Sequence, residues 1–220
     1  MSAAARPPPG SVPVPPPIRV LVVDDHPLLR DGIAAVLAGH ADLLLVGEAA
    51  DGREAVQQFR ELRPDVTLMD LQMPNMPGTE AIAAIRKEFP AARIVVLTTS
   101  RGDVQALRAM KAGASGYLLK SMLRKELVET IREVHAGRRR MPQEIAVAIA
   151  EHATDDTLSL REVEILRRVA GGNANKEVAL QLGIAEETVK SHMKSLLAKL
   201  GAKDRTHAVT IAIRRGIIEV

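Results

Sequence analysis

The sequence of 220 residues contains no cysteine and no tryptophan, and its aromatic residues are limited to two phenylalanines and one tyrosine. The absence of cysteine excludes thiol catalysis, disulfide bonds and cysteine-ligated metals, and it fits a reducing compartment. The scarcity of aromatic side chains argues against single-stranded nucleic acid as a partner, because such sites rely on base stacking. The formal net charge is only +3, so any argument for a nucleic-acid partner must come from local arrangement.

Long apolar runs are also missing. No run approaches the ~20 residues that a membrane-spanning helix needs, so we expect no membrane contact. Residues 1–17 are rich in proline and contain no continuous apolar segment, which argues against a signal peptide and predicts a disordered tail. Hydrophobic residues make up 46% of the chain and charged residues 26%, which is typical of a globular protein with one large domain or two small ones.

Residues 18–137 alternate between strand-like apolar runs and segments with helical spacing. Five runs of strand length occupy residues 18–23, 43–49, 65–69, 93–97 and 115–119. This alternation predicts an α/β domain with a doubly wound, parallel, five-stranded sheet. Right-handed crossovers bring the carboxyl ends of all parallel strands to one edge, which is where such sheets bind ligands.

Polar side chains follow four of these five strands. The residues that the sheet would collect at its carboxyl edge are Asp24, Asp25, Asp70, Thr98 and Lys120. Three neighbouring carboxylates repel one another and require a cation, and a cysteine-free cluster of oxygen ligands suits Mg²⁺. A carboxylate can accept a phosphoryl group as an acyl phosphate, whose oxygens a lysine and a hydroxyl can stabilise. Taken singly, each residue is more simply a turn, cap or surface group; together they favour phosphorylation of Asp70.

Four segments closely resemble the receiver domain of a bacterial response regulator. They are Val-Val-Asp-Asp-His at 22–26, Leu-Met-Asp-Leu-Gln-Met-Pro at 68–74, Leu-Thr-Thr at 97–99 and Gly-Tyr-Leu-Leu-Lys at 116–120. The resemblance implies a flavodoxin-like sheet of strand order 2-1-3-4-5. It also implies that Asp70 accepts a phosphoryl group from a sensor histidine kinase.

The same resemblance implies roles for the surrounding residues. The implied Mg²⁺ ligands are Asp24, Asp25, Asp70 and the backbone carbonyl of Gln72. Thr98 and Tyr117 match the pair that shifts when the acyl phosphate forms. His26 follows the acidic pair at a helix start, and we expect it to line the rim of the site.

A linker is predicted over residues 138–154, with a helical stretch from 143 to 150 and three solvated arginines at 138–140. A second, all-helical domain is predicted over residues 155–220. Ser159 and Glu162 match a capping box at its first helix. Asn175 is expected to cap a short helix that Gly183 ends. A longer helix then runs from 186 to about 200, which completes a helix-turn-helix pattern.

One face of the 186–200 helix is apolar, and the other is short-chained and basic. The outer face is predicted to carry Lys190, Ser191, Lys194, Ser195 and Ala198. Such a face can enter a major groove, although by itself it is equally well a solvated surface.

Segments 158–162, 175–179, 188–192 and 199–201 resemble the LuxR-type helix-turn-helix domain. A receiver joined to this domain is similar to the NarL/FixJ class of response regulators. The resemblance implies double-stranded DNA as a partner, with Lys190, Ser191 and Lys194 facing bases and phosphates. It further implies that Thr188 and Asn175 contact the DNA backbone.

The sequence therefore predicts a cytoplasmic transcription regulator that is switched by phosphorylation and binds DNA as a homodimer, since one small domain reads few base pairs. Its only expected enzymatic chemistry is Mg²⁺-dependent phosphorylation and dephosphorylation of itself. One alternative is an aspartyl-phosphate phosphatase, which would need a second acid where Gln72 stands. Another is a DNA-binding protein switched without phosphate, which loss of Asp70 or Lys120 would indicate; both residues are present.

Overall fold

The computed structural model describes residues 15–152 and 158–218. Most of the proline-rich tail predicted for residues 1–17 lies outside these ranges, as does the polar segment 153–157. No helix in the described ranges combines the length and the apolar character needed to cross a lipid bilayer. The described residues form an α/β region followed by an all-helical region, as the sequence predicts.

Strands and helices alternate through the first region. The strands are β1 (Ile18–Val23), β2 (Leu43–Ala49), β3 (Val66–Asp70), β4 (Ile94–Thr98) and β5 (Gly116–Leu119). The helices are α1 (Pro27–Ala38), α2 (Gly52–Leu62), α3 (Gly78–Glu88), α4 (Asp103–Ala112) and α5 (Leu123–His135). All strand pairs are parallel and lie in the order β2-β1-β3-β4-β5, which confirms the flavodoxin-like sheet.

Each face of the sheet has its own aliphatic core. Alternate residues of a strand point to opposite faces, so Met69 packs with α2, α3 and α4, whereas its neighbour Leu68 packs with α1 and α5. Because both faces are covered, the strands read as continuous apolar runs. Polar side chains therefore gather where the strands end.

The chain after α5 joins the edge of the sheet. Arg140 lies in the predicted linker, and its carbonyl accepts the backbone N–H of Tyr117 at 2.8 Å. The Arg140 guanidinium forms ion pairs with three carboxylates of α5, those of Glu126, Glu129 and Glu133. Arg140 was expected to be solvated, and that expectation was wrong because α5 presents a matching row of acids. Helix α6 (Gln143–Glu151) follows and packs against α4 through the buried side chain of Ile145.

The second region contains α7 (Leu160–Ala170), α8 (Asn175–Leu182), α9 (Glu186–Leu200) and α10 (Arg205–Arg214) around a separate core. The predicted capping box is confirmed: Ser159 and Glu162 exchange side chain and backbone bonds at the start of α7. The predicted cap at Asn175 was wrong, since Ala174 occupies the cap position of α8. A capping side chain must stand before the first helical residue, and Asn175 already belongs to the helix.

Candidate functional site

The carboxyl edge of the sheet brings the five predicted polar residues together. Asp70 and Thr98 end β3 and β4, Asp24 and Asp25 follow β1, and Lys120 follows β5. The Lys120 ammonium lies 2.8 Å from the carboxylate of Asp24 and 3.0 Å from that of Asp70. One lysine thus bridges two of the three acids and partly offsets their repulsion.

The electrostatics of the site favour a further cation. Asp70 is only 3% exposed, and burial raises the pKa of its carboxyl against the opposing effect of Lys120. Burial by itself would lower the pKa of Lys120, but its hydrogen bonds to Asp24 and Asp70 raise it above the ordinary value. Lys120 therefore stays charged, and a second positive charge would relieve the remaining cost of ionising Asp70.

Four side chains could hold that second positive charge as a metal ion. Asp24, Asp25, His26 and Asp70 each offer one ligand atom, and these atoms lie within 4.8 Å of one another. Carboxylate oxygens are hard donors, so the three acids fit Mg²⁺. The exposed His26 ring lies at the rim, with Nδ1 2.8 Å from the carboxylate of Asp25. The backbone N–H of Gln72 bonds to Asp70, and the metal-binding role of its carbonyl stays a prediction.

Thr98 and Tyr117 contact each other beneath the loop between β4 and α4. The Tyr117 hydroxyl donates to the backbone carbonyl of Ser100 at 3.0 Å and hydrogen-bonds with Thr98. The Thr98 hydroxyl oxygen accepts the backbone N–H of Ser100 at 3.0 Å. Burial raises the pKa of Tyr117 to about 12, so its hydroxyl stays neutral at physiological pH. The pair forms one network with the loop that leads into α4.

The helical region docks on this same loop. Asp103, the first residue of α4, is 5% exposed and lies 3.1 Å from the Arg215 guanidinium at the end of α10. The His152 ring, just after α6, lies 3.1 Å from the same carboxylate. The backbone N–H of Val104 donates to the Arg215 carbonyl at 3.1 Å. A Cβ at Gly102 would approach the Arg215 carbonyl carbon to 2.5 Å, so only glycine allows this close approach.

Helix α9 exposes most of the face predicted to contact DNA. Thr188, Lys190, Ser191 and Lys194 are exposed, and Asn175 is partly exposed on α8. The Lys190 ammonium lies 2.7 Å from Glu187 and 3.4 Å from Glu186, and the hydrogen bond with Glu187 raises the pKa of the lysine. These ion pairs within the helix would have to open before Lys190 could contact a phosphate.

Ser195 belongs to the interior side of α9 rather than to the predicted outer face. Its hydroxyl donates to the carboxylate of Glu162 at 2.7 Å, and the Lys199 ammonium lies 2.9 Å from the same carboxylate. Burial by itself would raise the pKa of Glu162, but the hydrogen bonds from Lys199, Ser195 and Ser159 lower it to about 2. The sequence predicts Glu162 only as a capping residue, because no local pattern indicates its contacts with α9.

Comparison with known families accounts for both regions of the chain. The model described as "Response regulator receiver domain" matches residues 20–132. The model described as "Bacterial regulatory proteins, luxR family" matches residues 156–212. The chain is a response regulator of the NarL/FixJ class. This assignment confirms the predicted family and removes the phosphatase alternative.

Relatives of this response regulator align along most of the chain. It is 37% identical over 207 residues to the response regulator protein VraR of Staphylococcus aureus, covering 92% of this chain and 99% of VraR. RcsB from Salmonella enterica serovar Typhimurium, bound to promoter P1flhDC with the phosphomimetic BeF3⁻, matches with TM-score 0.68 and 27% identity over 88% of this chain and 97% of RcsB. A structure of two RcsB dimers bound to two parallel DNAs matches with TM-score 0.65 and 25% identity, covering 90% of this chain and 98% of that RcsB chain.

Proposed function

We propose that this response regulator accepts a phosphoryl group on Asp70 from a sensor histidine kinase and then regulates transcription by binding double-stranded DNA. The observation that carries the proposal is the buried Asp70 carboxylate, 3.0 Å from Lys120 and next to two further acids. We place the receiver at residues 18–137, the linker at 138–154 and the DNA-binding domain at 155–220. Because its partner would be DNA, we propose the cytoplasm as its location.

Phosphoryl transfer at Asp70 uses residues that already contact one another. A carboxylate oxygen of Asp70 attacks the phosphorus of a phosphohistidine; the new P–O bond replaces the P–N bond, and the released imidazole takes up a proton. Asp24, Asp25, Asp70 and the Gln72 carbonyl would hold Mg²⁺, which neutralises phosphoryl charge when bound. Lys120 exchanges its contact with Asp70 for a phosphoryl oxygen.

The Thr98 hydroxyl connects phosphorylation to the docked helical region. In the unmodified protein this hydroxyl hydrogen-bonds with Tyr117 and accepts the backbone N–H of Ser100. To donate to a phosphoryl oxygen, the hydroxyl must reorient. This reorientation would alter its hydrogen bonds with Ser100 and Tyr117, which hold the loop that ends at Asp103. We propose that this change biases the docking of Arg215 on Asp103 and so shifts the two domains between docked and released states.

The DNA-binding domain supplies the output. Lys190, Ser191 and Lys194 lie on the exposed face of α9 and would contact bases and phosphates, while Thr188 and Asn175 would contact the DNA backbone. A recognition helix of 15 residues reads few base pairs, so binding as a homodimer to repeated half-sites would provide the affinity. The RcsB dimers on DNA support this arrangement by similarity.

Phosphoryl incorporation from acetyl phosphate with Mg²⁺, read by intact mass, tests the acceptor. The wild type should gain one phosphoryl group, Asp70→Asn should gain none, and the exposed-site control Asp42→Asn should behave as wild type. Beryllofluoride with Mg²⁺ should bind to the wild type under the same conditions. If the wild type takes up neither the phosphoryl group nor beryllofluoride, the phosphorylation mechanism is wrong and the protein is a DNA-binding protein that acts without phosphate.

A further inference from the structure

A second basic side chain, Arg30 of α1, contacts the backbone of the acidic pair. Its guanidinium donates to the carbonyl of Asp24 at 2.6 Å and to the carboxylate of Glu48 at 3.0 Å. The Arg30 side chain is 17% exposed, so it is held between these two partners rather than extended into solvent. Lys120 contacts the acids through their carboxylates, whereas Arg30 contacts the chain that carries them.

The Asp24 residue is held through each of its polar groups. Its N–H donates to the carbonyl of Ala49 at 3.1 Å, and its carboxylate accepts the backbone N–H of His26 at 3.0 Å and pairs with Lys120 at 2.8 Å. Its carbonyl accepts a hydrogen bond from the Arg30 guanidinium. This carbonyl lies in the planar peptide unit that joins Asp24 to Asp25. A hydrogen bond that fixes the carbonyl therefore also orients the start of Asp25.

The position of the Asp25 carboxylate depends on the orientation of this peptide more than the positions of the Asp24 and Asp70 carboxylates do. The Asp25 side chain is 31% exposed, compared with 0% for Asp24 and 4% for Asp70, and it pairs with the exposed ring of His26. Packing therefore constrains Asp25 less than it constrains the other two acids. The orientation of the Asp24–Asp25 peptide is what places its carboxylate within reach of the other ligand atoms.

We propose that Arg30 is a positioning residue for the metal site, which holds the Asp24–Asp25 peptide so that the Asp25 carboxylate faces the same cation as Asp24 and Asp70. The proposal rests on the proposed function, in which these carboxylates bind a divalent cation. Glu48 orients the guanidinium and balances its charge, so that Arg30 does not repel the incoming ion. Groups that orient metal ligands commonly contribute about ten- to one-hundredfold in metal affinity.

A purely structural role for Arg30 makes a different prediction. The Arg30–Glu48 pair also joins α1 to β2, and a pair that only joins these elements would change thermal stability without changing cation affinity. The test must therefore measure cation affinity and stability separately, and it must leave the net charge near the site unchanged.

The probe is Mn²⁺, whose binding to the full-length protein is followed by electron paramagnetic resonance. The double variant R30M/E48Q removes one positive and one negative charge together, and we expect its Mn²⁺ dissociation constant to rise about tenfold. The matched control R60M/E88Q removes the α2–α3 ion pair, in which Arg60 Nε lies 2.8 Å from Glu88, and should bind Mn²⁺ as tightly as the wild type. Melting temperatures without metal report the stability effect of each pair.

Two further variants make every outcome decisive. Arg30→Lys keeps the charge but lacks the two separate donors, Nε and Nη1, with which the guanidinium reaches Glu48 and the Asp24 carbonyl. The Mn²⁺ affinity of this variant should lie between those of the wild type and the double variant, and it decides the question if the double variant fails to fold. Asp25→Asn should lose most Mn²⁺ binding, which assigns the signal to this site. If the wild type binds Mn²⁺ there and the Arg30 variants bind equally tightly, the positioning role is wrong and the metal site stands. If the wild type binds no Mn²⁺, the metal site and the role of Arg30 fail together.

Discussion

Replacing Glu162 by glutamine should weaken the packing of the recognition helix against α7. The substitution keeps the shape of the side chain and removes the charge that pairs with Lys199 at 2.9 Å. The pKa of Glu162 is lowered from 4.5 to about 2, and at about 1.4 kcal/mol per pKa unit this corresponds to roughly 3 kcal/mol of stabilisation of the ionised form. Because Glu162 is only 3% exposed, solvent screens little of this energy. We therefore expect the free energy of unfolding of the helical domain to fall by roughly 3 kcal/mol at neutral pH.

The same shift predicts how stability depends on pH. The pKa of Glu162 is lower in the folded protein than in the unfolded chain, so its contribution is complete above about pH 5 and is lost as the pH falls toward 2. The wild-type helical domain should lose stability across this interval. The Glu162→Gln variant should show a flatter dependence, since it has no carboxyl group to protonate at that position.

Urea unfolding of the full chain can separate the two domains. The protein has one tyrosine and no tryptophan, so the near-ultraviolet signal of Tyr117 follows the receiver, while far-ultraviolet circular dichroism follows both domains. Glu162→Gln should lower the helical transition and leave the Tyr117 transition in place. The control Glu164→Gln removes a partly exposed partner of Arg161 on the same helix and should cost less than about 1 kcal/mol. Equal effects of the two substitutions would refute this account of Glu162.

Three further predictions concern the docking contact, the recognition helix and the switch. Arg215→Ala should release the helical region and raise the DNA affinity of the unmodified protein several-fold by fluorescence anisotropy, whereas the exposed neighbour Arg214→Ala should not; an unchanged affinity would argue against docking as a restraint. Glu187→Gln should remove the shorter of the two ion pairs of Lys190, leaving the pair with Glu186 at 3.4 Å, and should strengthen DNA binding a few-fold at low salt; a weaker complex would contradict this. Tyr117→Phe should lower receiver stability by about 1 kcal/mol in thermal unfolding, because the bond to the Ser100 carbonyl is lost; no loss would show that the bond is not stabilising.

Features set by short-range pattern were predictable from the sequence. The apolar run before Asp70 has the length of a strand, and alternation with helices requires parallel pairing, so its carboxylate had to reach the carboxyl edge of the sheet. Ser159 and Glu162 are three residues apart, and the capping box depends on that spacing alone.

Contacts between distant segments were not predictable. Arg215 and Asp103 are separated by 112 positions, and their pairing depends on how the two regions dock. Arg30 looks like an ordinary charge in a helix until folding brings it to the Asp24 carbonyl. Helical spacing predicts Ser195 on the outer face of α9, yet its hydroxyl donates to the buried carboxylate of Glu162 on α7.

The most direct test of the central claim measures DNA binding by the full-length protein with and without beryllofluoride and Mg²⁺. Double-stranded fragments enriched from a random pool by each form serve as the probe, and affinity is read by anisotropy. Wild type should bind its selected fragments at least about tenfold more tightly with beryllofluoride, and Asp70→Asn should show no response. If both proteins bind the same fragments with the same affinity in either condition, phosphorylation of Asp70 does not control this protein.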